Sequence, residues 1–192
     1  MGKHRKLIWH LYPSYLLITL ISLGAVTWYA SRSIKDYYLE QTAQDLRVRV
    51  LLVDQQIQGH LNPLDKKSID LLCKKVGARG STRITVTLPS GKVVGDSEED
   101  PVRMDNHSDR PEIIHALKKG QGVSSRYSRT LEKNMMYVAL PVAKGPQVDA
   151  VVRVAIPVDA IDRAIDDIQQ RIVIGGLFIA VLAALLSLLI SR

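Results

Sequence analysis

From Asp159 to Ile190 the chain carries one apolar stripe out of a charged segment and into an uncharged one, with no helix-breaking residue between them. Ile161, Ile165, Ile168, Ile172, Gly175, Ile179, Leu182, Leu186 and Leu189 recur at alternating spacings of four and three, a heptad seam on a single helix. Up to Arg171 the other faces hold Asp159, Asp162, Asp166, Asp167, Gln169, Gln170 and Arg171, so water surrounds that part. Residues 172–190 carry no charge and would rise roughly 28 Å as a helix, enough to cross a hydrocarbon core. A rod that keeps one packing register from water into lipid suits the transmission of a conformational change.

A second uncharged run, Leu7 to Ala30, follows the basic residues Lys3, Arg5 and Lys6. It would rise roughly 36 Å and can span a bilayer with tilt. Trp9, Tyr12 and Tyr15 mark one interface, and Trp28 and Tyr29 the other. A cleaved signal peptide is the rival, but its apolar core is much shorter, and a cut after Ala30 puts Trp28 where a small residue is wanted. Basic residues stay on the cytoplasmic side, which places residues 1–6 inside and, after two spans, residues 191–192 inside as well. The predicted organisation is therefore a span at 7–30, an extracytoplasmic domain at 31–171 and a span at 172–190. For a bacterium this is a multi-pass protein of the cytoplasmic (inner) membrane.

The net charge of +7 bears on partners only after it is divided by region. With Lys3, Arg5, Lys6 and Arg192 set aside at the ends, the segment between is close to balanced. Its basic residues form no block interleaved with aromatics, so no nucleic-acid partner is expected. The single cysteine, Cys73, sits among Leu71, Leu72 and Val76; a buried inert thiol is the plainer reading beside a redox sensor.

Between the spans the period changes twice. Leu39, Ala43, Leu46, Val50, Val53 and Ile57 predict a helix from Ile34 to about Gln58, with Tyr38, Leu51 and Leu52 widening its buried face. Gly59 and Asn62-Pro63 stop it, and a second helix is predicted from Leu64 to Val76, ending at Gly77 and Gly80. Alternation then predicts strands at Arg83 to Leu88 and Lys92 to Asp96 around a Pro89-Ser90-Gly91 turn. An acidic irregular stretch and a short helix from Pro111 to Lys118 follow. Strands are then expected at Val123 to Arg129, Met135 to Val142 and Val148 to Pro157. The fold class is α+β: a PAS-like antiparallel five-stranded sheet with a long N-terminal helix over one face, flanked by two transmembrane helices.

The most distinctive stretch runs from Gly91 through Asp96-Ser97, Asn106-His107 and Arg110-Pro111-Glu112-Ile113. It continues at Arg126-Tyr127-Ser128-Arg129-Thr130-Leu131 and at Met136-Tyr137-Val138-Ala139. These residues resemble the extracytoplasmic sensor of PhoR-type sensor histidine kinases, a PAS-like (PDC or single-Cache) domain between two spans. The resemblance covers the whole segment and both flanking spans. It implies an input half that detects an extracytoplasmic stimulus, works as a homodimer, and acts through the second span on a cytoplasmic kinase module and its response regulator. It identifies a type of receptor and not a signal, since such domains vary widely in ligand.

Two physical readings of the motif stand side by side. In one it folds a long connection: Asp96 pairs with Arg110, Asp109 to Glu112 cap the short helix, and Pro111 starts it with φ already set. In the other it walls a ligand pocket over the sheet. His107, Arg110, Arg126 and Tyr137 then supply donors, and a small carboxylate or phosphate fits two arginines. Asp96, Ser97, Asn106, Pro111 and Glu112 are structural members of the motif in both. The acidic run Asp96, Glu98, Glu99, Asp100, Asp105 and Asp109 is a third candidate, for calcium or magnesium. It lacks the glycine and terminal glutamate of an EF-hand, so no metal ligands and no cofactor are assigned. Gly176, Ala180 and Ala184 place small residues one turn apart for close helix packing.

No histidine lies in a His-Glu-Leu-Arg-Thr-Pro-like helix, and there is no Gly-rich nucleotide lid, no Gly-x-Ser-x-Gly and no His-Glu-x-x-His. No enzymatic activity is expected of these residues. The alternatives to a kinase input are a chemoreceptor or cyclase input domain, a non-catalytic envelope scaffold, and, least, an anchored hydrolase using Asp96 and His107.

Overall fold

The computed structural model describes residues 2–128 and 131–190. They form two compact units, residues 1–38 with 160–192, and residues 39–159.

The first unit holds the N-terminal part of α1 (Gly2–Ile57) and nearly all of α4 (Asp159–Ile190). Residues 7–30 and the following amphipathic segment are one helix, since Ser31-Arg32-Ser33 supplies neither glycine nor proline to interrupt it. Leu17, Ile18, Ile21 and Val26 on α1, and Val173, Leu177, Phe178 and Ile179 on α4, face outward. Among the described residues one helical stretch, within Leu17–His60, is long and apolar enough to cross a membrane. Gly176 lets the two helices approach closely: a Cβ there would stand 2.8 Å from Leu23 Cδ2. The side chains of Ile161, Ile165, Ala184, Leu186 and Leu189 lie outside the described residues, as does Arg192.

The second unit is built on a five-stranded sheet, entirely antiparallel, in the order β2-β1-β5-β4-β3. The strands are β1 (Arg83–Thr87), β2 (Val93–Asp96), β3 (Gly122–Ser128), β4 (Lys133–Ala143) and β5 (Val148–Pro157). Central β5 is buried through most of its length, as its run of valines requires of a strand covered on both faces. Helix α2 (Lys66–Gly80) lies against β1 and β2, and α3 (Pro111–Lys119) against β3, β4 and β5. Asp65 caps α2 by accepting from the Ser68 amide, which together with the Ser68 hydroxyl lowers the pKa of its carboxyl. Pro111 opens α3 and Gly120, at φ 75°, closes it.

One face of the sheet is apolar at its centre. Ile84, Val86, Val138, Val152 and Val154 alternate onto it, and Gly95 lets Ile69 and Cys73 of α2 close to 3.0–3.1 Å of where a Cβ would stand. Burial there, and then the nearby Asp96 charge, pushes the Cys73 thiol up to about 12, so it is an unreactive core group at neutral pH. On α1 the seam Ala43, Leu46, Val50, Val53 and Ile57 is buried.

Three expectations are corrected. Tyr38, Leu51 and Leu52 do not widen that seam; they are 53%, 48% and 55% exposed, because they lie a turn-fraction off it on the outer side of α1. Helix α2 does not end at Gly77 but runs through it to Gly80, with Ser81 as the left-handed cap. The N-cap of α3 is Arg110, whose side chain makes no capping bond, so Asp109 does not cap the helix.

Candidate functional site

The other face of the sheet is polar at its centre, and strand register explains how. Residues opposite one another across antiparallel strands point to the same side. The pairings Asp96↔Thr85, Thr85↔Arg153, Arg153↔Ala139 and Ala139↔Gly122 make one transverse row through all five strands. Two residues along, Arg83, Ala155, Tyr137 and Ser124 make a second row on the same side. Arg153 is therefore set in the middle of the sheet, beneath the connection from β2 to α3.

The small residues of the first row admit α3. A Cβ at Gly122 would stand 1.8 Å from the Glu112 carbonyl oxygen, so this approach exists only with glycine there. Glu112 is thereby lowered, fully buried, between two arginines. Its Oε1 accepts from Arg126 Nη2 at 2.9 Å and Arg153 Nη1 at 3.0 Å, and its Oε2 from Ser124 Oγ at 2.9 Å. Burial alone would raise its pKa; the Arg126 hydrogen bond and the Arg153 charge outweigh it and hold the carboxyl at about 2. Both guanidinium groups also lie over the Tyr137 ring, with Cζ 4.3 Å and 5.0 Å from its centroid.

Asp96 forms the second buried carboxylate. It accepts from Arg83 Nε at 3.2–3.3 Å and Thr85 Oγ1 at 2.7 Å, and Thr85 Oγ1 in turn accepts from Arg153 Nη2 at 3.0 Å. The amides of Glu98 and Glu99 complete its shell. Asp96 thus pairs with Arg83, not with Arg110 as the sequence suggested: across β1 and β2 the partner is fixed by register, while Arg110 lies beside Asp109. Ser97 extends the edge, its hydroxyl accepting from the Ile84 amide.

The hairpin between β1 and β2 carries the loop that overhangs this network. Gly91 turns at φ 84°, and its carbonyl accepts from the His107 amide at 2.9 Å. Asn106 donates to the Ser90 carbonyl and accepts from the Ser108 amide. A Cβ on Gly91 would stand 2.1 Å from Asn106 Oδ1. The Asn106-His107 pair is therefore latched to a glycine turn that only glycine fits. His107 is buried, and burial, then the charges of Arg153 and Arg110, lower its pKa to about 4.

Between loop and sheet lies a cavity of about 600 Å³. His107, Arg110, Arg126 and Tyr137 all line it, together with Arg83 and Arg153. Three buried donor-capable atoms of these residues have no hydrogen-bond partner: His107 Nδ1, Arg110 Nε and Arg153 Nε. Arg110 Nε has only an ion-pair distance, 3.5 Å, to Asp109 Oδ1. In the buried network three guanidinium groups, of Arg83, Arg126 and Arg153, face two carboxylates, of Asp96 and Glu112. The balance favours an incoming negative group with oxygen acceptors.

Arg153 and Arg83 escaped the sequence reading, although Arg153 left a signal: a lone arginine inside Val151-Val152-Arg153-Val154-Ala155, a run otherwise fit only for the interior. The divalent-cation candidate gains nothing. No grouping of three acidic, histidine or cysteine side chains suited to a metal occurs among the described residues, and Asp96 is committed to Arg83. The motif residue Thr130 lies outside the described residues.

No protein-family model matches the chain, and no curated protein matches it in sequence. Its structure is similar to the ligand-binding domain of the Campylobacter jejuni chemoreceptor Tlp3 in complex with 4-methylisoleucine. That match has a TM-score of 0.52 at 14% identity and covers 77% of this chain and 60% of that one. The E. coli DcuS sensor domain matches with a TM-score of 0.50 at 17% identity, over 66% of this chain and 98% of that one. The ligand-binding domain of the Pseudomonas fluorescens chemoreceptor CtaA in complex with L-alanine matches at 0.51 and 13%, over 68% and 59%. This chain thus spans about 60% of the length of the two chemoreceptor domains. The likeness is one of fold: the second unit has a PAS-like α+β fold, a five-stranded antiparallel sheet with a long N-terminal helix, similar to that of PDC/Cache-like sensor domains.

Proposed function

We propose that the chain is the sensing input of a membrane receptor, and that residues 31–171 bind a small anion outside the cytoplasm. The observation that carries this reading is the cavity over the polar face, lined by His107, Arg110 and Arg153, whose Nδ1, Nε and Nε atoms have no hydrogen-bond partner, beside an excess of guanidinium charge in the buried network. His107, Arg110, Arg126 and Tyr137 are the proposed ligand residues, with Arg153 and Arg83 added by the register of the sheet. The ligand's oxygen atoms accept from donors that burial has left without hydrogen-bond partners, which is where an anion gains most.

In this reading residues 7–30 and 172–190 both span the inner membrane, and two copies pair to bring four spans together. The motif resemblance favours a PhoR-type kinase input, with the kinase module and response regulator as cytoplasmic partners. A chemoreceptor input is equally compatible with the fold, since the similar domains include those of Tlp3 and CtaA. Neither case asks catalysis of these residues.

The test is calorimetric titration of the full chain in lipid nanodiscs with small carboxylates, phosphate and amino acids. Arg153→Met and Arg126→Ala should each weaken any binding at least tenfold. If Arg126→Ala leaves it unchanged, the ligand sits elsewhere.

A further inference from the structure

We infer that an oxyanion enters this cavity together with a proton, which His107 takes from solvent. The inference rests on the anion-binding reading and adds to it how the site is regulated.

His107 is held by its backbone, through the Gly91 carbonyl, so its ring position owes nothing to a side-chain partner. His107 is 6% exposed and its Nδ1 has no hydrogen-bond partner, yet it lines the same cavity as Arg110 and Arg153, whose Nε atoms also lack one. Charged groups face it from every side of the cavity. Arg83 on β1, Arg126 on β3, Arg153 on β5 and Arg110 on its own loop oppose a positive ring. Asp96 on β2 and the rim residues Asp105 and Asp109 favour one, while Glu112 on α3 is occupied by Arg126 and Arg153. Tyr137 on β4 presents its ring to the Arg126 and Arg153 guanidinium groups.

In the empty cavity the balance holds the ring neutral, with a pKa of about 4. An oxyanion placed among His107, Arg110 and Arg153 cancels the repulsion that keeps it so. The imidazole then gains one proton, becomes a donor at both nitrogens, and adds a charge-assisted hydrogen bond to the ligand. By linkage, a ligand that raises the affinity of His107 for a proton binds more tightly as protons become available. Between the raised pKa of the bound state and about 4 in the free one, affinity rises by up to about tenfold per pH unit.

Sulfate and methanesulfonate test this, since both keep a constant charge from pH 4.5 to 7.5 and differ by one unit from each other. The full chain in nanodiscs is titrated by calorimetry at pH 7.5, 6.5, 5.5 and 4.5, in buffers of different ionisation heat. The expected result is binding of at least one anion that tightens five- to tenfold per unit below about pH 6.5, with buffer-dependent heat equal to uptake of up to one proton. His107→Gln should bind with an affinity that no longer changes with pH. Binding that is independent of pH and buffer in the wild-type chain overturns the proton coupling and leaves the anion site standing. A His107→Gln chain that keeps the pH dependence also overturns it. Failure of both anions to bind at every pH overturns the anion reading itself. The buffer-dependent heat of the wild-type chain decides the matter even where the variant does not fold.

Discussion

Glu112 Oε1 accepts from Arg153 Nη1 at 3.0 Å, joining the short helix α3 to the central strand of the sheet through a carboxylate with no exposed surface. Because the same oxygen also accepts from Arg126, this one side chain balances two buried guanidinium groups. Removing its charge leaves two neighbouring guanidinium groups with no carboxylate between them. Glu112→Gln should therefore lose about 3–5 kcal/mol of stability, the range found when one partner of a buried pair is deleted. Glu112→Leu combined with Arg153→Met should lose less than Glu112→Leu alone, since the second change removes a charge that the first leaves unpaired. Urea unfolding of the full chain in detergent, followed by circular dichroism, measures both. Equal losses for the single and double variants would deny the pairing a role.

Acid should unfold the second unit in two overlapping stages. His107 has its pKa depressed from 6.5 to about 4, so between these values the unfolded chain binds more protons than the folded one. Its contribution is complete above pH 6.5 and is lost as pH falls toward 4. Glu112 is depressed from 4.5 to about 2; its contribution is present above pH 4.5 and disappears as pH falls toward 2. The melting temperature should thus decline from pH 6.5 downward rather than only below 4.5. His107→Gln should flatten the upper stage and Glu112→Gln the lower. A wild-type melting temperature that is constant from pH 7 to 4.5 would show that the imidazole is not held neutral by its surroundings.

Gly91→Ala should disturb the site from outside it. The substitution places a methyl against Asn106 Oδ1 and the Ser108 amide, at a φ of 84° that alanine adopts only under strain. A loss of about 1–3 kcal/mol is expected, and it should come with a displaced His107 ring. Histidine side-chain NMR reads that displacement as a shift of the His107 resonances, while Gly145→Ala, whose Cβ meets nothing within 4 Å, should leave them in place.

The elements of this fold were legible because each follows a local period. The alternation of Ile84, Val86 and Leu88, the valines of β5 and the prolines and glycines between them mark the strands within a residue or two. Part of the candidate site's lining was legible as well: His107, Arg110, Arg126 and Tyr137 stand out as polar groups in a distinctive motif, and all four line one cavity. Their partners were not. Whether Asp96 meets Arg83 or Arg110 depends on which strand lies beside which, and Glu112 meets Arg153 across a separation of 41 residues. No local period carries such information. Arg153 becomes visible only when the row Asp96, Thr85, Arg153, Ala139, Gly122 is assembled from four strand pairings.

The seam of α1 offers the sharpest contrast between pattern and burial. Leu46 and Leu52 are the same residue six positions apart, and the sequence reading placed both on the covered face. Six residues turn a helix through roughly 600°, leaving the two side chains about 120° apart, so only one can sit at the centre of a seam. Leu46 is fully buried and Leu52 is 55% exposed. Leu46→Ala should accordingly cost about 2–5 kcal/mol, the transfer term plus the cavity left behind. Leu52→Ala should change stability by no more than about 0.5 kcal/mol in the isolated chain, because no packing is removed. Thermal unfolding of the two variants beside the wild type decides it. A large loss for Leu52→Ala, growing with protein concentration, would instead mean that a second copy of the chain covers the outer side of the helix.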